Sequence, residues 1–261
     1  MPQSKLQGRV ALITGAGRGI GRAISLGFAR EGASIAATAR TQGELESLVR
    51  EITTLGRKAI AIPADLARRA SADEIVRRAL QEFGTIDILV NNAGVGSSGS
   101  ARPLADFDDT FWDLSLAVNL TAPYLLCKAV LPTLLNKGKG RIINIASIAG
   151  KIGLMHGAAY AASKHGLLGL TRTLALEVAK AGITVNAICP GPVRTAMNEK
   201  RVRYDAKRLG VTIGELEQSI TPIGRRLEPD EIVPLAVLLA SDESAAITGQ
   251  AFNVCGGMAM F

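Results

Sequence analysis

The sequence predicts one α/β domain, a doubly wound parallel sheet with helices on both faces. Short apolar runs of strand length alternate with helix-length amphipathic runs, the first strand opens into a glycine turn, and the polar motifs fall at the carboxyl ends of the strands. At 261 residues, with 48% hydrophobic residues and a mean hydropathy of +0.23, the chain has ample material for one core. No low-complexity linker or solenoid-length repeat divides it, so residues 1–261 read as a single domain.

The first strand is Val10-Ala11-Leu12-Ile13, followed by Thr14-Gly15-Ala16-Gly17-Arg18-Gly19-Ile20-Gly21 and a helical pattern from Arg22 to Ala29. A glycine turn between strand and helix lets backbone amides approach a pyrophosphate at the positive end of the helix dipole. Its spacing, T-G-x-x-x-G-x-G, departs from the G-x-G-x-x-G fingerprint, and taken alone it also fits a purely structural turn. Residues 34–39 and 59–62 read as strands, with helices over 44–55 and 72–83 after them. Residues 86–90 form a strong strand running into Asn91-Asn92-Ala93-Gly94, and a long helix is expected around 111–135. Strands at 141–146 and 184–188, the helix carrying Tyr160, a short helix over 229–240 and a last strand near 252–254 complete the order.

Tyr160 and Lys164, four residues apart, share one helix face. A tyrosine hydroxyl has a reference pKa of about 10, and a nearby ammonium favours its ionised form, so the pair reads as an acid-base site whose pKa Lys164 lowers. Three cysteines, Cys127, Cys189 and Cys255, lie far apart with no metal-type spacing, which predicts reduced thiols in a cytoplasmic setting. His156 and His165, the only histidines, leave no material for a His-rich metal site. Apolar runs such as 232–240 fall short of the ~20 residues that span a bilayer, so no membrane segment is expected.

Thr14-Gly15-x-x-x-Gly19-x-Gly21, Asn91-Asn92-Ala93-Gly94, Asn119, Ser147, Tyr160-x-x-x-Lys164 and Pro190-Gly191 occur in order. In order and approximate spacing the chain resembles the short-chain dehydrogenase/reductase family over essentially its whole length. The resemblance implies a Rossmann-like domain that transfers hydride between a nicotinamide cofactor and a carbonyl or secondary alcohol. Tyr160 would then donate a proton to the carbonyl oxygen, and Lys164 would hold the nicotinamide ribose. Ser147 would hydrogen-bond the same oxygen, and Asn119, an uncomfortable residue for a helix interior, would help hold a water connecting Lys164 to solvent. Asp65 should meet the adenine, although it also suits a helix N-cap. Gly15, Gly19, Ile20, Gly21, Leu66, Asn92, Ala93, Gly94, Pro190, Gly191 and Val193 should line the cofactor, and Thr195 should touch the nicotinamide carboxamide.

An acid about 20 residues beyond the glycine turn would select NAD, but the second strand ends Thr38-Ala39-Arg40. Arg40 and Arg18 offer cations for a 2′-phosphate, so NADP(H) is the expected cofactor. Gly96-Ser97-Ser98, residues 152–156 and the segment after Thr195 are the expected substrate lining, with a lid around 195–220. His156 is close enough to Tyr160 to reach the cleft mouth, and His165 should point elsewhere. The lid carries Lys200, Arg201, Arg203, Lys207 and Arg208 in a chain of formal charge +7, with a pI near 9.6. An acidic handle, phosphopantetheine on a carrier protein or coenzyme A, would complement it, and a solvated helix face is the plain alternative.

The stretch from His156 to Gly166 and the ending Ala251-Phe252-Asn253-Val254-Cys255-Gly256-Gly257 resemble the ketoreductases of aromatic polyketide synthesis. The general layout is similar to the 3-oxoacyl carrier-protein reductases, from which the long basic segment departs. Polyol and sugar-alcohol dehydrogenases of the same family are the rival enzyme reading. A dinucleotide-sensing regulator would be expected to lack the proton-transfer residues that are present here. A nucleic-acid partner is not expected, because the cations are dispersed and no base-stacking aromatics accompany them. Gly166 and Gly169 with Leu167, Leu168 and Leu170 offer a close-packing face, and the resemblance implies a homo-oligomer, a tetramer or dimer, with the tail Met258-Ala259-Met260-Phe261 at another interface; burial within one subunit is the alternative for both.

Overall fold

Seven strands, β1 (Val10–Thr14), β2 (Ser34–Ala39), β3 (Ala59–Pro63), β4 (Ile88–Asn91), β5 (Gly140–Ile145), β6 (Ile183–Pro190) and β7 (Ala251–Val254), lie in the order β3-β2-β1-β4-β5-β6-β7. Every pairing is parallel. This computed structural model describes residues 4–261 and bears out the doubly wound architecture. Period-two alternation assigns the faces. Ala11 and Ile13 of β1 pack with Ile24 and Phe28 of α1 (Gly19–Arg30), Leu45 and Leu48 of α2 (Gln42–Thr54), and Ala236 of α9 (Val233–Ala240). Leu12 between them faces the other layer, with Ile75 of α3 (Ser71–Phe83), Leu126 and Val130 of α5 (Ala122–Lys137), and Leu174 of α6 (Ala158–Val178). Strand order reverses between β1 and β4, and at such a switch point the carboxyl ends open a crevice.

The helix expected around 111–135 is built in three parts. Asp108 caps α4 (Asp109–Leu116) by accepting from Thr110 N at 2.9 Å, a π turn follows at Ala117–Thr121, and α5 completes it. Pro123 has no N–H for the carbonyl of Asn119 four residues earlier, which favours the wider turn. Together they make one helical stretch, Asp109–Lys137, of 29 residues, long and apolar enough to cross a bilayer. It contains no unbroken apolar run of that length, because polar residues such as Asn119 and Lys128 interrupt the run without ending the helix. In the fold Leu126, Cys127, Val130 and Leu134 of this helix are core residues under the sheet.

The segment after β6 forms two helices, α7 (Ala196–Leu209) and α8 (Ile213–Ser219), the latter begun by a Thr212/Glu215 capping box. Arg226, only 3% exposed, donates to Glu199 of α7 at 2.6 Å and also pairs with Glu217 of α8. Arg194 bridges Glu217 and Glu228 at 3.2 and 2.9 Å. These ion pairs tie both helices to the sheet layer. Leu167 and Leu168 are buried in the subunit's own core. A Cβ on Gly166 would stand 2.8 Å from Leu120 Cδ2, whereas Gly169 faces open space.

Candidate active site

The carboxyl ends of β1, β4, β5 and β6 open onto a cleft of about 900 Å³. On one side lies the glycine turn. Gly15 and Gly19 adopt φ of +64° and +55°, which side-chain-bearing residues rarely do. A Cβ on Gly21 would overlap the Gly15 carbonyl and the Asn92 amide. At the start of α1, Arg18 makes no side-chain cap, so the helix's first N–H groups are left for an anion. These features fit a dinucleotide pyrophosphate. Thr14 Oγ1 fixes the turn to the neighbouring strand end by accepting from Asn92 N and Ala93 N, both at 3.0 Å. Asn92 Nδ2 returns a bond to Thr14 O at 2.8 Å.

Behind Gly94, Asn119 is fully buried. Its Oδ1 accepts from Val95 N at 2.8 Å, and its Nδ2 donates to Val95 O and Ser163 Oγ, both at 3.1 Å. Ser147 follows β5, and its Oγ accepts from Ala149 N at 3.1 Å, which leaves its own proton free to donate. Tyr160 and Lys164 come from the first turns of α6 and line the same cleft. Lys164 is 4% exposed and donates to Ile145 O at 2.8 Å. Its Nζ stands 5.7 Å from the Tyr160 ring centre.

Burial dominates the protonation of the pair. It raises the Tyr160 phenol above its ordinary value, while the Ser147 hydroxyl beside it acts in the opposite direction and Cys189 adds to the rise. Burial also lowers Lys164 from 10.5 to about 8. The expected lowering of the tyrosine by Lys164 is therefore corrected: desolvation of the phenolate sets the direction, with Ser147 acting against it and Cys189 with it.

The remaining walls come from three loops and α7. Thr195 caps α7, with Oγ1 accepting from Asn198 N at 3.2 Å, and a Cβ on Gly19 would lie 3.1 Å from its Cγ2. Arg201 joins the loops: its guanidinium donates to Asp205 at 2.6 and 3.0 Å, to Met155 O at 2.8 Å and to Ser97 Oγ at 3.4 Å. Next to Met155, His156 takes φ +54°, the one positive value outside glycine among the described residues, and its Nδ1 meets Tyr204 Oη at 2.6 Å. His165 instead turns back to Ala161 O on its own helix.

Gly15, Arg18, Gly19, Ile20, Arg40, Asp65, Leu66, Asn92, Ala93, Gly94, Ser147, Tyr160, Lys164, Pro190, Gly191, Val193 and Thr195 all border the cleft. Gly21 and Asn119 stand behind its wall and support it. Asp65 caps its own turn, accepting from Ala67 N at 3.0 Å, and does not cap α3. Of the five basic residues singled out after Thr195, Arg201 and Arg208 are held by Asp205 and are not free cations, whereas Lys200, Arg203 and Lys207 are exposed. Tyr204, Asp205 and Glu44 were not singled out from sequence, and Arg201 was read as a basic residue of the expected lid and not as Asp205's partner; their spacing of four on a helix was the one available signal.

A glycine turn at the switch point of a parallel sheet, facing a Ser-Tyr-Lys set, defines a nucleotide-dependent oxidoreductase. The family model for short chain dehydrogenases matches residues 9–205, and the chain belongs to that family, whose members bind a nicotinamide dinucleotide. Among relatives, ketoacyl reductase 1 of the granaticin polyketide synthase of Streptomyces violaceoruber is 43% identical over 254 residues, 95% of this chain and 92% of that one. The 3-oxoacyl-[acyl-carrier-protein] reductase FabG of Thermotoga maritima is 37% identical over 254 residues, 97% of this chain and 99% of that one. Two solved structures are similarly close. A point variant of actinorhodin polyketide ketoreductase with NADPH is 37% identical with a TM-score of 0.92, covering 97% of this chain and 98% of that one. An NAD⁺-bound xylitol dehydrogenase is 33% identical with a TM-score of 0.91, covering 97% of this chain and 100% of that one.

Proposed function

We propose that this protein is an NADP(H)-dependent ketoreductase acting on 3-oxoacyl or polyketide-type ketones. The observation that carries the reading is the convergence of Ser147, Tyr160 and Lys164 on the cleft bordered by the glycine turn. A bound nicotinamide supplies the hydride. Tyr160 Oη gives its proton to the carbonyl oxygen as that oxygen gains negative charge; its raised pKa keeps it protonated at neutral pH, as a proton donor must be. Ser147 Oγ, already accepting from Ala149 N, donates to the same oxygen. Lys164 holds the ribose hydroxyls and offsets the charge left on Tyr160. The amide of Asn119 is occupied by Val95 and Ser163, so a water linking Lys164 to solvent would rest on its main-chain carbonyl, which lacks the ordinary helical donor at Pro123.

Arg18 and Arg40, both exposed at the adenosine end, support NADP(H), as does the NADPH in the similar actinorhodin ketoreductase. The α7–α8 segment would serve as the substrate lid. An acidic carrier or coenzyme A handle would meet Lys200, Arg203 and Lys207, since Arg201 and Arg208 are already paired. The similarity to xylitol dehydrogenase favours a second reading, oxidation of polyols with NAD. The two separate in one experiment, cofactor-linked absorbance with 3-oxoacyl thioesters, bicyclic ketones, ketoses and polyols. Reduction of thioesters or bicyclic ketones with NADPH supports the proposal, and turnover confined to polyols and ketoses replaces it by the second reading.

A further inference from the structure

No acid follows β2, where Arg40 stands, yet the fold brings one to the adenosine end from elsewhere. Glu44, in the first turn of α2, turns its carboxylate back onto the glycine turn. A Cβ on Gly17 would lie 2.7 Å from Glu44 Oε2, so the carboxylate rests against the turn's backbone. Its Oε1 stands 3.6 Å from Arg18 Nη1. Arg40 has no carboxylate partner among the described residues. Asp65, which also borders the cleft, is engaged in its own turn, accepting from Ala67 N. Arg22, the third arginine bordering this end, is held by Glu51 at 2.7 Å. Glu44 thus brings a carboxylate beside Arg18 at the end of the cleft that Arg40 also borders.

We propose that Glu44 is a specificity-determining residue that opposes the 2′-phosphate of NADP(H), and so holds the preference over NAD(H) below what Arg18 and Arg40 alone would produce. The proposal rests on the adenosine end being where the cofactor reading places it. A phosphate monoester carries a charge of about −1.5 to −2 at neutral pH, and a neighbouring carboxylate repels it. The carboxylate beside Arg18 also competes with a phosphate for its guanidinium. A 2′-hydroxyl is neutral and can donate to a carboxylate, so NAD(H) meets neither obstacle.

The test is titration of the purified protein with NADPH and with NADH, followed by fluorescence of the bound dihydronicotinamide, with no ketone present. Glu44→Gln keeps the side chain's shape and removes its charge. In this variant the NADPH Kd should fall about tenfold while the NADH Kd stays within about threefold or rises. Raising the salt concentration should shrink that gain, because the repulsion is screened. An NADPH Kd within about twofold of wild type, in a Glu44→Gln protein whose thermal unfolding is unchanged, overturns the inference. So does equal tightening of both cofactors. Arg40→Ala addresses the cofactor reading separately. Weaker NADPH binding with unchanged NADH binding upholds that reading whatever Glu44→Gln does. No change for either cofactor, in a protein that favours NADH, removes the reading and leaves the Glu44→Gln titration to decide the charge effect by itself.

Discussion

Replacing Lys164 by methionine should stabilise the cofactor-free protein at neutral pH and lose that advantage in alkali. The ammonium is 4% exposed and donates to the Ile145 carbonyl at 2.8 Å, with no carboxylate beside it. Its pKa is about 8 in the folded chain, against 10.5 for an ordinary lysine. A depressed folded value means that this group's contribution is fully present above the unfolded pKa and lost as pH falls through about 8. At about 1.36 kcal/mol per pKa unit, the buried charge costs about 3 kcal/mol at pH 7. Loss of the bond to Ile145 takes back about 1 kcal/mol. The Lys164→Met protein should therefore be about 2 kcal/mol more stable at pH 7 and about equal to wild type at pH 10. Urea unfolding of both proteins at the two pH values, without cofactor, measures this; their difference removes groups common to both. A gap that does not change between the two pH values would refute the reasoning, because it would mean that Lys164 carries its charge at no cost.

Gly21→Ala should abolish cofactor binding and cost about 1 to 3 kcal/mol, since the new methyl meets the Gly15 carbonyl and the Asn92 amide; normal binding would show that the turn yields easily. Tyr204→Phe removes the partner of His156 Nδ1 at 2.6 Å. The expected result is a loss of about 1 kcal/mol, faster hydrogen exchange over 152–157, and a raised KM for the ketone with little change in kcat. Unaltered exchange would show that the loop does not need α7. Arg226→Leu removes the cation that Glu199 and Glu217 share and leaves Glu217 with Arg194 alone. Because both carboxylates are partly exposed and Glu217 keeps Arg194, the loss should be a modest fall in the urea midpoint, and an unchanged midpoint would show that the buried guanidinium does not hold α7 and α8 in place.

The sheet was legible because both its faces are buried and its strands are unbroken apolar runs between turn signals, as at Ile88–Asn91. Tyr160 and Lys164 were legible because a helical spacing of four fixes their shared face. What stayed hidden depends on contacts distant in sequence. The π turn at Ala117–Thr121 accommodates Asn119 bonds to Val95 and Ser163 from two other elements. Arg201 reads as a free cation until Asp205, Met155 and Ser97 are placed round it. Glu44 lies in sequence on an ordinary amphipathic helix, and only the way α2 meets the glycine turn brings its charge to Arg18. Desolvation sets the direction of the tyrosine's titration, and how far Tyr160 is withdrawn from water depends on packing that its local sequence does not give.

The central claim is that Tyr160 delivers the proton, and it is tested most directly by reduction of a 3-oxoacyl thioester with NADPH in wild type and Tyr160→Phe, with NADPH affinity measured on the same samples. Loss of kcat by a factor of about 10² to 10⁴, with the NADPH Kd within about threefold of wild type, is the predicted result. Turnover by Tyr160→Phe within about threefold of wild type would contradict the account, because the cleft would then hold another donor for that oxygen.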